Sequence, residues 1–273
     1  MLAEAHLILQ GWLRSGDCGS GRGAVEFLKE ALAWLPEGLR LGVVRADAGF
    51  FDGKLLEFLE ERQLAYIMVA RLTRWLKREA ARVEDGRAID EDFAVGEFSL
   101  QLFNWERARR FVVIREGLPE KQNAAGKKLL EVPGYTFRLF VSNLATAPEE
   151  IGRNDNQRAD VENRIAELKY DLGADDFCLR PFFATEAAFC GILMLFNLLS
   201  EFQRVTGLKP FRQPGTLRSQ VFLCGAVLGR AGRRVVLHLS SAWGGVDKLK
   251  PLIDKLLEYA LPTSPKLEQQ PAT

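Results

Sequence analysis

Two groups of side chains in this sequence have the type and placement to do chemistry. Asp47 closes the run Leu41-Gly42-Val43-Val44-Arg45-Ala46-Asp47, whose hydrophobic centre reads as a buried strand. In open α/β sheets functional side chains collect at the carboxyl ends of strands, where a carboxylate is held rigidly with its oxygens towards a cleft. Gly49, two residues on, allows close approach of backbone or ligand. Asp is also a common cap for a following helix, and position alone favours that plainer role. The second group is Arg158, Glu162 and Lys169, with Arg four residues before the Glu and Lys seven after it. At about 3.6 residues per turn all three share one helical stripe. A carboxylate between two cations suits a divalent metal at Glu162 and phosphate oxygens at Arg158 and Lys169. A solvated helix laced with ion pairs has the same spacing, and spacing alone favours it.

The elements that must position these groups alternate at first between strand and helix. Residues 6–13 read as a strand already in progress, and 15–21 as a turn-rich loop. Val25, Leu28, Leu32 and Leu35 predict an amphipathic helix over 23–35. A strand over 39–46, a helix over 52–62 and a strand over 65–70 follow, an alternation that predicts an α/β sheet covered by helices. The pattern then changes. Residues 84–97 are acidic and irregular, and 98–104, 110–114 and 135–142 read as strands without intervening helices, with the clearest linker at 117–126. This block is expected to be an antiparallel insertion. A charged helix over 149–171 comes next, with Val161, Ile165 and Leu168 as its packing stripe. An apolar helix over 185–206, a helix over 217–228, a strand over 234–239, a helix over 246–259 and a disordered tail over 263–273 complete the chain. The expected divisions are 1–80, 81–147, 148–206 and 207–273.

With 273 residues and 47% hydrophobic content, the chain can build one sizeable core and a small appended part. Lys+Arg 37 against Asp+Glu 36 announces no nucleic-acid partner. Any DNA-binding surface must come from local segregation of the basic groups. Cys18, Cys178, Cys190 and Cys224 are scattered, lack zinc-ligand spacing and read as free thiols in a reducing cytoplasm. The start lacks the basic region of a signal peptide. The apolar stretch 182–199 is interrupted by Thr185, Glu186 and Asn197, and reads as a buried helix of a soluble protein with no membrane partner.

Three stretches carry a resemblance. Gln157 to Ile165 together with Glu167-Leu168-Lys169-Tyr170-Asp171, Val44 to Gly53, and Phe182 to Phe189 resemble the thirteen-eighty subgroup of the "IS four" type DDE transposases of bacterial insertion sequences. The similarity runs in order across nearly the whole chain. The spacing of Arg158, Glu162 and Lys169 is that of the family's Tyr-Arg-Glu-Lys signature. The resemblance implies an RNase H-like core with a β-rich insertion before the helix bearing the Glu. It implies two-metal DNA cleavage and strand transfer at insertion-sequence ends, with magnesium (manganese as a substitute) activating water and then the released 3′-hydroxyl. Asp47 then corresponds to the second catalytic Asp and Glu162 to the catalytic Glu, both as metal ligands. Arg158 and Lys169 become phosphate contacts.

Two departures bear on activity. Asp155 stands where the signature has Tyr, an acidic group near scissile phosphates. The family's first Asp lies on the first core strand, whereas residues 6–13 resemble the second or third, and Asp17 in its glycine-rich loop is a poor substitute. The chain is therefore expected to be amino-terminally truncated and catalytically incomplete. The rival readings are a non-enzymatic, DNA-binding or dimerising inhibitor of a full-length enzyme, and a decayed relic. Double-stranded DNA at transposon ends, a homodimer in the active complex and a cytoplasmic, nucleoid-associated location are the corresponding expectations. Arg71, Arg74, Lys77 and Arg78 beside Trp75, the group Arg107, Arg109, Arg110 and Arg115, and more weakly Arg230, Arg233 and Arg234 are candidate DNA-backbone contacts. Trp105 is a candidate for stacking on an unpaired nucleotide. Met68, Trp12 and the Phe-rich helix over 182–202 are assigned to the core.

Overall fold

A computed structural model of the chain describes residues 1–19, 21–35, 38–83, 87–88, 93–117, 135–156, 158–177, 179–223, 225–240 and 246–259. The chain divides into two compact units, Trp12–Glu162 and Met1–Gly11 with Asn163–Thr273.

The first unit contains α1 (Ala24–Ala33), β1 (Val43–Ala46), α2 (Gly53–Glu61), β2 (Ala65–Val69), α3 (Arg74–Ala81), β3 (Arg87–Ala88), β4 (Phe93–Leu100), β5 (Arg109–Gly117), β6 (Tyr135–Ser142), α4 (Pro148–Asn156) and the start of α5 (Arg158–Ala166). Its strands form one sheet in the order β1-β2-β6-β5-β4-β3. The β1–β2 pair is parallel, with Val43 opposite Ala65, and every other pair is antiparallel. The expected β-rich block is therefore no separate layer: β6 pairs with β2, so the block continues the sheet begun by β1 and β2. β4 also starts at Phe93, inside the stretch read as irregular.

Alternation along the strands fixes the two faces, because successive side chains point to opposite sides. Tyr66, Met68, Phe111, Val113, Leu139 and Val141 face a core closed by Leu55, Leu56 and Leu59 of α2 and Leu76 and Ala80 of α3. Ile67, Val95, Val112, Ile114 and Phe140 face the other side, where Ile151 of α4 covers them. Two of the covering helices are held at their starts. Asp52 accepts from the Lys54 and Leu55 amides at α2, and the Thr73 hydroxyl accepts from Leu76 N–H at α3. Such caps contribute about 1 kcal/mol each.

The second unit contains the π-helical turn Glu167–Asp171, α6 (Phe182–Thr206), α7 (Pro214–Leu217), a second π turn Arg218–Phe222, β7 (Ala226–Ala231), β8 (Arg234–Leu239) and α8 (Val246–Glu258). Its apolar cluster joins Leu217, Val221 and Leu249 with Leu199, Phe202, Leu252 and Ile253. Residues expected to continue a helix to 228 instead turn into β7 at Ala226.

Two further expectations are overturned here. His6 lies in a turn with φ +51, and residues 8–11 belong to no strand of a sheet among the described residues. Leu2 and Leu7 form an isolated bridge, and the Asn197 amide takes the place of a neighbouring strand, accepting from Ile8 N–H at 2.7 Å and donating to Ile8 C=O at 2.9 Å. The second correction concerns α6. Phe196 is buried, but Phe183, Met194 and Leu198 are exposed, and only 6% of its most apolar window is buried, at a mean hydropathy of 1.8. By length and composition this helix could cross a membrane. Hydropathy states that a face gains from being covered, not which surface covers it. Met68 is in the core as expected, whereas Trp12 is half-buried and donates from Nε1 to Glu30. Cys18 and Cys190 are free thiols. Cys178, Cys224, most of the 117–126 linker and the 263–273 tail lie outside the described residues.

Candidate active site

β1 delivers Asp47 to its carboxyl end, where the residue is exposed. The side chain caps the one-turn 3-10 helix Ala48–Phe50, Oδ1 accepting from Gly49 N–H at 2.9 Å. The plainer capping role and the placement at a strand end are therefore both realised. Oδ2 makes no hydrogen bond among the described residues. The space over Gly49 is taken by the chain itself: a Cβ on Gly21 would lie 2.8 Å from the Gly49 carbonyl oxygen. The glycine-rich loop can thus seat against the Asp47 turn only where it has no side chain. Asp17, in that loop, is exposed, and a hydrogen bond from Ser15 lowers its carboxyl pKa.

Glu162 is exposed on α5. The Arg158 backbone belongs to the same helix, but its side chain lies outside the described residues, as does that of Asp155. Lys169 sits in the π-helical turn, where Leu172 N–H bonds to Glu167 C=O five residues back. The wider turn departs from the 3.6-residue repeat on which the expected stripe is drawn. Its Nζ lies 3.5 Å from Asp175, with both side chains about half exposed. One turn earlier, Arg164 donates to Glu167 at 2.6 Å in a nearly buried pair, and its guanidinium lies over Phe211, which stacks on His6.

The expected basic surfaces separate into two kinds. Arg71, Arg74, Lys77 and Arg78 are all exposed, on or just before α3. Trp75 of this helix lies 6.4 Å from Phe103, whose side chain is 101% exposed at the β4–β5 loop. An exposed aromatic ring beside Trp75 of this basic helix is not legible in the sequence, because exposure depends on the tertiary fold.

The second group is spent on internal contacts. Arg109 is buried and makes a bidentate bond to Glu60, at 2.8 and 2.9 Å. Arg107 reaches the same carboxylate at 3.2 Å, Arg110 pairs with Glu97 at 2.6 Å, and Arg115 donates to the Ala80 and Val83 carbonyls. Trp105 is likewise corrected. It is 5% exposed, stacks on Phe111 with planes 5° apart, meets Phe51 edge-on and has the Arg109 guanidinium 4.5 Å from its ring centroid. Such a ring is a packing residue and offers no free face to a nucleotide.

The Arg109–Glu60 pair sets the local electrostatics. Burial opposes the Glu60 carboxylate, but hydrogen bonds from Arg109 and Tyr66 and the charges of Arg109 and Arg107 outweigh it and hold its pKa below the ordinary value. Burial and the adjacent Glu60 push the Tyr66 phenol well up. Among the described residues no group of three His, Cys, Asp or Glu side chains is placed to hold a metal ion.

A mixed α/β sheet with an acidic residue at a strand end, followed by a helix bearing a Glu, is consistent with the RNase H-like fold of DDE transposases. The family model that matches is Transposase DDE domain group 1, over residues 4–260, and the chain belongs to that family. No curated protein matches the chain significantly. Enzymes of this family use divalent metal ions and act in transposition.

Proposed function

We propose that this chain carries part of the machinery that cleaves and joins DNA strands at insertion-sequence ends by two-metal phosphoryl transfer. The family match over 4–260 carries the reading. Asp47 and Glu162 are its metal-binding carboxylates. Supporting this, Asp47 stands exposed at the carboxyl end of β1 with Oδ2 unengaged among the described residues, and carboxylate oxygens suit magnesium or manganese. These donors fit such a cation in kind but not in number, since the described residues hold no three-donor cluster. We therefore read the chain alone as catalytically incomplete. β1 is the outermost strand of its sheet among the described residues, and a further strand paired with it would bring a carboxylate beside Asp47.

DNA phosphates are contacted, in this reading, by Arg158, by Lys169 and by the α3 face. The exposed Lys169–Asp175 pair is worth little in water and can yield to a phosphate. Arg71, Arg74, Lys77 and Arg78 supply backbone contacts, and the exposed Phe103 takes the stacking role first expected of Trp105. The active complex is a homodimer, and the protein works in the cytoplasm at the nucleoid. In the middle of α6, Asn197 is committed to the Ile8 backbone. The missing third donor favours a second reading, in which the chain binds DNA or full-length enzyme as an inhibitor. The test is Glu162→Ala, which abolishes metal-dependent cleavage of a duplex bearing the element's ends while leaving DNA binding intact. Unchanged cleavage would sink the assignment of Glu162.

A further inference from the structure

β7 and β8 form a two-stranded antiparallel sheet of their own, six residues on each side. Ala231 pairs with Arg234 across the two-residue turn Gly232-Arg233, and Gly232 has φ +63. That first turn position requires a glycine in a type II′ hairpin, whose twist matches that of the strands. Directly opposed residues share a face. Arg230, opposite Val235, thus lies on one face of the ribbon and Arg234, opposite Ala231, on the other, with Arg233 in the turn between them. All three arginines are exposed, none forms an ion pair among the described residues, and 225–240 contains no Asp or Glu.

We propose that this ribbon tip enters the major groove of duplex DNA and that Arg230, Arg233 and Arg234 contact phosphates. The proposal rests on the transposase reading and adds a DNA contact remote in sequence from the acidic residues. A groove has phosphates on both walls, and the ribbon carries a cation on each face and one at its point. The major groove is about 12 Å wide and admits a two-stranded ribbon, whose strands lie about 4.8 Å apart. Behind the tip, Val227, Leu228, Val235 and Leu237 are exposed, where apolar side chains can meet base edges and thymine methyl groups. A protein partner would instead seat on one apolar face, and charges on both faces and the turn do not favour it.

The test is fluorescence anisotropy of the full chain with a labelled duplex across a salt series, using R230Q/R233Q/R234Q and R230K/R233K/R234K. Each lost phosphate contact lowers the slope of log K against log salt by about 0.9, so the glutamine variant loses about 2.7. Between about 50 and 200 mM salt the parent then loses roughly 40-fold more affinity than the glutamine variant, and the lysine variant keeps the parent slope. All three arginines are exposed, so the variants keep the parent's thermal midpoint. Equal affinity and slope in parent and glutamine variant would overturn the ribbon contact while leaving the transposase reading standing. A change in oligomeric state with unchanged slope would also overturn it, in favour of a protein partner. Loss of cleavage assignments with a ribbon-dependent salt slope would do the reverse, and a parent that binds no duplex would overturn both.

Discussion

Arg109→Ala removes the cation from an enclosed ion pair of the first unit, and the structure sets the size of the effect. The Arg109 side chain is 2% exposed and that of Glu60 11%. Two hydrogen bonds join them, and the Tyr66 hydroxyl donates to the same carboxylate at 2.8 Å. Breaking such a pair by deleting one partner costs about 3–5 kcal/mol, because a buried charge is left uncompensated. Loss of the guanidinium over Trp105 adds up to about 1 kcal/mol. Arg107, 57% exposed and 3.2 Å from Glu60, offsets a similar amount. The net expectation is about 3–5 kcal/mol. With a urea slope of about 2 kcal/mol/M, the midpoint falls by roughly 1.5–2.5 M. Urea unfolding followed by tryptophan fluorescence reads this, with Arg82→Ala as control. That residue's pair with Glu79 is an exposed i,i+3 contact worth about 0.5 kcal/mol at most. The triple replacement Glu60→Leu, Tyr66→Phe and Arg109→Met recovers most of the loss, since it removes the Tyr66 donor together with the ion pair and an apolar cluster needs no compensation. If Arg109→Ala and Arg82→Ala unfold at the same urea concentration, the account of this core is wrong.

Further consequences concern pH and packing. The Glu60 pKa is depressed in the folded state, so its contribution is complete above the unfolded value of about 4.3 and is lost as pH falls through the folded value. Parent stability therefore drops more steeply on acidification below about pH 4 than that of Glu60→Gln, and parallel titrations of the two would count against it. Gly21→Ala places a methyl group 2.8 Å from the Gly49 carbonyl. Relieving that overlap costs about 1–3 kcal/mol, read as a lower thermal midpoint. Asn197→Leu leaves the Ile8 N–H and C=O without their partner. Hydrogen exchange at Ile8 then rises by one to two orders of magnitude, for a loss of about 1–3 kcal/mol, and unchanged protection would refute the strand-substitute role.

How far the sequence discloses this protein follows from which signals are local. β2, β6, α2 and α8 stand close to their expected bounds, because apolar runs and 3.6-residue periodicity are written into consecutive residues. Asp47 at the end of β1 was legible for the same reason. Residues 6–13 mislead because an extended apolar run looks alike whether a strand or the Asn197 amide satisfies its backbone. Trp105 and Arg109 look like surface recognition residues until β5 brings them against Glu60 and Phe111. Phe103, two residues from Trp105, is the exposed one, and alternation through an irregular loop has no fixed phase. The π turn at Lys169 leaves no compositional trace, and the resemblance, not the spacing, singled that residue out.

The most direct measurement is cleavage of a labelled duplex bearing the element's own ends, with magnesium or manganese. It compares this chain with a version extended ahead of residue 1 by an Asp-bearing strand. Cleavage by the extended version alone, lost again in Asp47→Asn and Glu162→Ala, is the result expected of two carboxylates that require a third. Cleavage by the unextended chain would contradict that account and assign the third donor to another residue already present.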